Sequence, residues 1–305
     1  MIISCHPGKL FTNFGIDEGF AMLKRAGIDG IQFGMGAEIM PAASVKKHLP
    51  CPAMDGTLED LLEAMRPYKE AAEKHGVVFS QVHAPFPMWL PNDPELVERM
   101  KAVMIKSIAA AEYVNCRYLV VHPTSPERYE DILSPEDEMA INKELYSAMI
   151  PALKEHHVVA LLENMFSRDV EGTRFASACS DFPLAARLVD ELNEIAGEEC
   201  FGFNFDTGHC YLARQNVARA IRILGKRIKA LHVQDNRGHL DDHVQPFAGC
   251  IDWESVIQAL RDVGYDHDFN FEAGNAISPY PVEVQEECLR LLAGLGRYFT
   301  RRITE

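Results

Sequence analysis

The stretch "FGFNFDTGHCYL", residues 201–212, joins an apolar run to a pair of polar groups. The run ends at Asp206, Thr-Gly follows, and His209 stands three residues after the carboxylate. Several interpretations fit this stretch alone: a helix start capped by Asp206, an isolated surface histidine, a metal ligand beside a substrate-binding imidazole, or a nucleophile beside its base. The surrounding sequence decides among them.

Short apolar runs of the same kind recur along the chain and have the composition of buried β-strands. There are eight of them: MIISC (1–5), GIQF (30–33), VVFSQVH (77–83), YLVVH (118–122), VVALLE (158–163), FGFNFD (201–206), KALHVQ (229–234) and FNFE (269–272). Segments with helical periodicity separate the runs, as in 252–264, where Trp253, Val256, Ile257 and Leu260 fall on one face.

This alternation of strands and helices predicts a parallel sheet covered by helices. Gly27, Gly76 and Gly264 each end a helical segment just before a strand, as helix C-caps do. Eight units averaging about 38 residues, in a chain of 305, predict closure of the sheet. We therefore expect one α/β domain over residues 1–305, a (β/α)8 TIM barrel with its active site at the C-terminal ends of the strands. An open, doubly wound sheet is the alternative.

Each of the eight strands ends in, or next to, a polar residue that can bind a metal or accept a hydrogen bond. These residues are His6, Gln32, His83, His122, Glu163, Asp206, His232 and Glu272. In a barrel the strand ends converge on one face, so side chains from different strands can meet there. One such histidine would be unremarkable as a buried structural residue, but a complete set indicates a site at the barrel mouth.

The last four strands supply three carboxylates and one imidazole: Glu163, Asp206, His232 and Glu272. This ligand set suits one Mn²⁺, Co²⁺ or Mg²⁺ ion and also accommodates Zn²⁺. The alternative is a group of ion pairs at the barrel rim. Lys and Arg are absent from the adjoining stretches "LLENM", "FNFDTGH" and "FNFEAG", so the carboxylates have no neighbouring cation in sequence.

Six motifs carry a family resemblance: VHAP (82–85), LLEN (161–164), FDTGH (205–209), LHVQDN (231–236), DDHVQPFAGCIDW (241–253) and GYDHDFNFE (264–272). With them the chain resembles the xylose isomerase-like sugar isomerase/epimerase superfamily, which includes ketose 3-epimerases, inosose-type dehydratases, hydroxypyruvate isomerases and endonuclease IV. The resemblance covers almost the whole chain. It implies a sugar, sugar phosphate or polyol isomerase or epimerase that acts by proton transfer next to a carbonyl.

The resemblance also implies roles for individual residues. Glu163, Asp206, His232 and Glu272 would bind one divalent metal, and Glu163 and Glu272 would form the catalytic acid–base pair. His209 would bind a substrate oxygen, with His83, His122 and Arg237 as further substrate-binding candidates. Gly238 stands where the epimerases carry an arginine, and Arg237 lies one position before it. Gln32 stands where many relatives carry glutamate, and its role is open between a hydrogen bond at the rim and substrate binding.

Three other functions fit parts of the sequence. A three-zinc phosphodiesterase like endonuclease IV would use His83, His122 and His209, with Asp241 and His243 as additional metal ligands. An inosose-type dehydratase could use the same site as an epimerase. A barrel that binds a sugar without catalysis is the third, although all four candidate metal ligands are present.

The charge and composition of the chain indicate which classes of partner to expect. The formal net charge of −15 disfavours a nucleic-acid partner, so we expect a small-molecule substrate. No apolar run is long enough to cross a membrane, the N-terminus lacks a signal-peptide pattern, and the eight cysteines form no Cys-x-x-Cys pair. These features predict a cytoplasmic protein without a membrane anchor, and the sequence is compatible with a homo-oligomer.

Overall fold

A computed structural model describes residues 1–124, 131–177 and 179–305 of the chain. Its strands are β1 Ile3–Cys5, β2 Gly30–Gly34, β3 Val78–His83, β4 Tyr118–Val121, β5 Val159–Glu163, β6 Phe166–Arg168, β7 Arg174–Ala176, β8 Phe201–Asp206, β9 Ile228–His232 and β10 Phe269–Phe271. Eight of them are parallel and form one sheet in the order β10-β1-β2-β3-β4-β5-β8-β9. Strands β6 and β7 form a separate antiparallel hairpin.

The first and last strands of this order are joined through Val233, which follows β9. Its N–H donates to the carbonyl of Asn270 at 2.9 Å, and its carbonyl accepts from the N–H of Glu272 at 3.1 Å. These bonds close the sheet into a barrel, and the predicted (β/α)8 architecture is therefore confirmed over the open-sheet alternative.

Helices connect the strands and cover the barrel. They are α1 Leu10–Phe14, α2 Ile16–Ala26, α3 Met35–Glu38, α4 Ala42–Lys46, α5 Pro52–Asp55, α6 Leu58–His75, α7 Pro94–Tyr113, α8 Pro135–Ser147, α9 Ile150–Glu155, α10 Phe182–Ala196, α11 Thr207–Leu212, α12 Val217–Leu224, α13 Trp253–Val263 and α14 Gln285–Thr304. Short 3-10 turns span Gly225–Arg227, Gly274–Ala276 and Val282–Val284. Within the described part of the chain, no helix combines the length and apolar character needed to cross a membrane.

The ends of the helices follow the local sequence. Gly27, Gly76 and Gly264 cap α2, α6 and α13 with left-handed φ angles of 85°, 64° and 65°, which confirms their prediction as C-caps. At its start α6 has a capping box, in which Thr57 and Asp60 satisfy each other's backbone N–H groups.

Alternation along β8 explains how one strand serves both the core and the mouth. Phe201 and Phe205 contact the aromatic rings of Tyr146 on α8 and Phe182 on α10, so the aromatic side of the strand packs outward. Because successive side chains point to opposite faces, the intervening residues, which end at Asp206, point into the barrel. The strand therefore delivers its last carboxylate to the mouth.

Candidate metal and active site

The polar residues at the strand ends meet at the carboxyl-terminal mouth of the barrel. Strands β5, β8 and β9 end at Glu163, Asp206 and His232, and Glu272 directly follows β10. Each residue offers one ligand atom, and these atoms lie within 4.8 Å of one another. We call these four residues the quartet. The structure thus brings together the set predicted to bind a metal.

Asp206 also starts helix α11. Its Oδ1 accepts a hydrogen bond from the backbone N–H of His209 at 2.6 Å, as an N-cap does. The cap turns the chain so that the His209 side chain enters the mouth, where it is only 5% exposed. The interpretation of His209 as an isolated surface histidine is therefore wrong. Asp206 both caps helix α11 and belongs to the quartet.

The imidazole of His232 is oriented by a neutral amide. Gln81 donates from Nε2 to the carbonyl of Leu231 at 3.1 Å, which leaves its Oε1 to accept from His232 Nε2 at 3.0 Å. The lone pair of His232 is then on Nδ1. That atom lies 2.8 Å from Glu163 Oε1 and 3.2 Å from Glu272 Oε2. A lone pair facing two carboxylates requires a proton or a metal cation between them.

A chain of buried polar side chains positions Glu272 from its other side. Ser4 Oγ donates to Asn270 Oδ1 at 3.1 Å, and Asn270 Nδ2 donates to Gln32 Oε1 at 2.9 Å. Gln32 Nε2 then donates to Glu272 Oε1 at 2.9 Å. The structure therefore places Gln32 as a residue that orients a quartet carboxylate.

Two buried carboxylate oxygens of the quartet have no hydrogen-bond donor among the described residues: Glu163 Oε2 and Asp206 Oδ2. Leaving such an oxygen buried and unsatisfied is costly, and a cation would remove that cost. Three carboxylates with one imidazole match the preferences of Mn²⁺, Co²⁺ and Mg²⁺ and also accommodate Zn²⁺. The residues present therefore fit a divalent metal.

Proton affinities in the quartet follow from the same contacts. Burial lowers the pKa of His232, but the carboxylates of Glu163 and Glu272 outweigh burial and raise that pKa to about 10. Burial also raises the pKa of Glu163, yet the charge of His232 holds it well below its usual range. For Asp206, burial is the main reason that its pKa rises to about 7. Without a metal, a proton on His232 compensates the carboxylates.

A first flanking cluster is formed by His83, His122 and Glu163, whose ligand atoms also lie within 4.8 Å of one another. His83 donates from Nδ1 to the carbonyl of Ala84 at 2.8 Å, so its Nε2 lone pair faces His122 Nε2 at 3.1 Å. The two Nε2 atoms lie 3.5 and 3.3 Å from Glu163 Oε2. Glu163 therefore belongs to both the quartet and this cluster.

A second flanking cluster is formed by His209, Asp241 and His243, again within 4.8 Å. His209 and His243 donate from Nδ1 to the carbonyls of Asn164 and Glu272 at 3.0 and 2.8 Å. Their Nε2 atoms consequently face Asp241 Oδ2, at 3.5 and 2.9 Å. Backbone carbonyls that fix the ring orientation in this way are typical of histidine metal ligands.

Arg237 is the one predicted site residue that the structure does not bring to these clusters. It is exposed, and its backbone N–H donates to Asp242 Oδ2 at 3.1 Å. Its side chain makes no hydrogen bond or ion pair with the described part of the chain. The role of Arg237 in substrate binding stays a prediction.

The sequence analysis missed residues that orient the ligands, above all Gln81 and Asn270. A signal for Gln81 exists: it stands two residues before His83, so alternation places both on the same face of β3. His6 was recognised only as a strand end. Burial lowers its pKa to about 4, and its Nδ1 accepts from the N–H of Gly8 at 3.2 Å. His6 is therefore a neutral imidazole whose Nε2–H can donate.

Asp235 is a buried residue that anchors the loop after β9. Its carboxylate accepts hydrogen bonds from four backbone N–H groups and one indole N–H, all within residues 236–253. This segment carries Asp241 and His243, so Asp235 holds part of the second flanking cluster over the mouth.

Sequence comparison with known proteins identifies relatives without an assigned activity. An uncharacterized protein of Sinorhizobium fredii is 35% identical over 97 residues, which are 32% of this chain and 30% of that protein. An uncharacterized protein of Methanocaldococcus jannaschii is 25% identical over 201 residues, 64% of each chain. The chain thus spans less than two thirds of the length of these curated relatives.

Solved structures with similar folds cover nearly the whole chain. A D-tagatose 3-epimerase-like protein is 18% identical with a TM-score of 0.67, covering 100% of this chain and 98% of its own. The Escherichia coli 3-keto-D-glucoside 4-epimerase YcjR is 15% identical with a TM-score of 0.70, covering 96% and 99%. An IolI protein with a bound zinc atom is 15% identical with a TM-score of 0.64, covering 99% and 98%.

At these identities the structural comparisons establish the shared fold. The sequence model of one family, described as xylose isomerase-like TIM barrel, matches residues 20–292. Together with the closed barrel, this match shows that the chain belongs to the xylose isomerase-like TIM barrel family.

Proposed function

We propose that this chain is a divalent-metal-dependent isomerase or epimerase of a small sugar, sugar phosphate or polyol, acting as one barrel domain over residues 1–305. The observation that carries the proposal is the quartet, in which three carboxylates and one imidazole converge within 4.8 Å. The fold shared with a D-tagatose 3-epimerase-like protein and a 3-keto-D-glucoside 4-epimerase supports this substrate class. The zinc atom in the similar IolI structure supports a divalent metal.

In this proposal Glu163 and Glu272 exchange protons with the substrate. One carboxylate removes the proton from the carbon next to the carbonyl, and the other returns a proton from the opposite face, which inverts that centre. Return of the proton to the adjacent carbon gives an isomer instead. A divalent cation in the quartet supplies positive charge that stabilises the negative charge developing on the substrate oxygens.

Neighbouring residues prepare these two carboxylates. Gln32 occupies Glu272 Oε1, so Oε2 is the oxygen that faces the quartet. His209 uses Nδ1 on the carbonyl of Asn164, and its Nε2 lies 3.5 Å from Asp241 Oδ2. Burial lowers the pKa of His209, but the carboxylates of Asp206 and Asp241 outweigh burial and raise that pKa well above its usual range, so Nε2 carries a proton that it can donate to a substrate oxygen. His83 likewise uses Nδ1 on the carbonyl of Ala84, and its Nε2 faces His122.

Solvent deuterium exchange tests the proposal directly. The metal-loaded protein is incubated in D2O with ketoses, their phosphates and inososes, and mass spectrometry detects deuterium bound to carbon. We expect exchange with at least one probe, and a loss of about 10³-fold or more in Glu163→Gln and Glu272→Gln. Glu70→Gln, an exposed change on α6, is the control. No exchange with any probe, or a fully active Glu272→Gln protein, contradicts the proposal.

A second candidate function is hydrolysis of a phosphate ester at three zinc ions. The two flanking clusters favour it, because each adds a set of ligand atoms within 4.8 Å beside the quartet. Clusters of divalent metals support this class of reaction. The net charge of −15 argues against a nucleic-acid polymer as the substrate.

Metal content separates the two functions. About one divalent metal per chain, with exchange in D2O, supports the isomerase or epimerase. About three zinc ions per chain, with cleavage of bis(4-nitrophenyl) phosphate or abasic-site DNA, supports hydrolysis. A dehydratase on the same site would be recognised in the exchange assay by a product lighter than its substrate by one water.

A further inference from the structure

The β6–β7 hairpin presents one face to the candidate site. It begins three residues after Glu163, the last residue of β5. Phe166 and Arg168 are two residues apart on β6 and share a face, and Arg174 on β7 lies directly opposite Arg168. The ring of Phe166 contacts that of His209 with centroids 5.3 Å apart. The face that carries both arginines is therefore turned toward the barrel mouth.

Arg174 is held in place on this face. Its Nη1 donates to the carbonyl of His239, which lies in the segment that also carries Asp241. Its guanidinium carbon lies 5.4 Å from the centre of the Phe166 ring, a cation–π contact. Its Nε is buried and has no acceptor among the described residues. The guanidinium is thus oriented by two contacts and keeps an unused donor.

The two arginines lie directly opposite each other on the hairpin, Arg168 exposed and Arg174 half-buried. Like charges directly opposite each other on a sheet repel. The chain has 45 acidic residues against 30 Lys and Arg. Even so, neither Arg168 nor Arg174 forms an ion pair with a carboxylate within residues 1–124, 131–177 and 179–305. An oxyanion between the two guanidinium groups would relieve the repulsion and accept the unused Nε–H.

We propose that Arg168 and Arg174 form a clamp for an anionic group of the substrate, a phosphate or a carboxylate at the end remote from the quartet. This inference rests on the proposed function, because it assumes a sugar whose reacting carbon lies at the quartet. The Phe166 ring contacts both His209 and Arg174 and so links the clamp to the candidate site. It makes the protein selective for acidic sugars over neutral ones.

Binding of matched probes to the metal-loaded full chain tests the clamp. Isothermal calorimetry measures the dissociation constants of D-fructose, D-psicose and D-tagatose, of their 6-phosphates, and of the corresponding sugars with a 6-carboxylate. We expect at least one anionic probe to bind ten times more tightly than its neutral parent. The phosphate and carboxylate probes show which anion the clamp prefers.

Four variants separate charge from structure. Arg168→Gln and Arg174→Gln should each reduce the anionic preference to about threefold or less, because each removes a charge-assisted contact. Arg174→Lys keeps the charge but lacks the Nε–H and the planar guanidinium, so it should retain only part of the preference. Arg219→Gln on the outer surface of α12 should retain all of it. Circular dichroism and metal content verify that each variant is folded.

Two results overturn the clamp: no anionic preference in the wild-type protein, or a preference that survives in Arg174→Gln. Failure of the proposed function is distinguishable from these. A wild-type protein with an intact anionic preference but no deuterium exchange would refute the isomerase or epimerase while leaving the clamp standing. Exchange with neutral sugars alone would refute the clamp.

Discussion

Replacing Asp235 with asparagine should release the segment that carries Asp241 and His243. The buried carboxylate uses both oxygens. Oδ1 accepts from the N–H groups of Asn236, Cys250 and Ile251 at 2.9, 3.0 and 3.2 Å, and Oδ2 accepts from the N–H of Phe247 and the indole of Trp253 at 3.1 and 2.8 Å. Asparagine keeps one oxygen and puts an NH₂ group, which can only donate, in the place of the other.

The size of the effect follows from this division of donors. With its nitrogen in the place of Oδ2, asparagine leaves the N–H of Phe247 and the indole N–H of Trp253 without an acceptor. In the other orientation it leaves the N–H groups of Asn236 and Ile251, because the N–H of Cys250 also donates to the carbonyl of Asn236 at 3.0 Å. Each unsatisfied N–H costs about 1–3 kcal/mol. Either orientation therefore lowers the free energy of unfolding by about 2–6 kcal/mol.

Urea unfolding followed by circular dichroism measures this loss. Asp242→Asn is the matched control, because Asp242 accepts one exposed hydrogen bond, from the N–H of Arg237. Its expected effect is about 0.5 kcal/mol or less. If Asp235→Asn were as stable as Asp242→Asn, the assignment of Asp235 as the anchor of this segment would be refuted.

Three further predictions concern the site. Glu272→Gln should lower kcat by about 10³-fold or more while changing the melting temperature little, since glutamine can still accept from Gln32; a normal kcat would exclude the acid–base role. Metal binding at pH 8 should release a proton, because the pKa of His232 is raised to about 10 and the metal displaces the proton from its imidazole. The buffer takes up this proton, so the calorimetric enthalpy of metal binding should differ between buffers of different ionisation enthalpy. Equal enthalpies in such buffers would contradict the prediction. Gly208→Ala should lower the free energy of unfolding by about 1–3 kcal/mol, because its Cβ would lie 2.1 Å from the side-chain amide of Gln234, whereas Gly294→Ala, with open space around its Cβ, should not.

The barrel and the quartet were predictable because both depend on local periodicity. The aromatic run 201–205 alternates outward-packing rings with inward-facing residues, and Asp206 continues that alternation at the strand end. Once strands run parallel in a closed sheet, their last residues must converge. Glu163, Asp206, His232 and Glu272 therefore needed no long-range information beyond the order of the strands.

The residues that orient the quartet depend on contacts between distant parts of the chain. Gln81 bonds to His232 across 151 positions, and Asn270 bonds to Gln32 across 238. Alternation places Gln81 on the same face of β3 as His83, but nothing near it in sequence indicates that its partner is His232.

By itself, the sequence determined the strand–helix repeat, the capping glycines and the identity of the four candidate metal ligands, because each is written in neighbouring residues. The tertiary structure decided which nitrogen of His232 faces the carboxylates, that Glu163 is shared between two clusters, and that Arg168 and Arg174 lie opposite each other beside the mouth. Those features depend on distances and hydrogen-bond directions between different strands and loops, which exist only after the chain has folded.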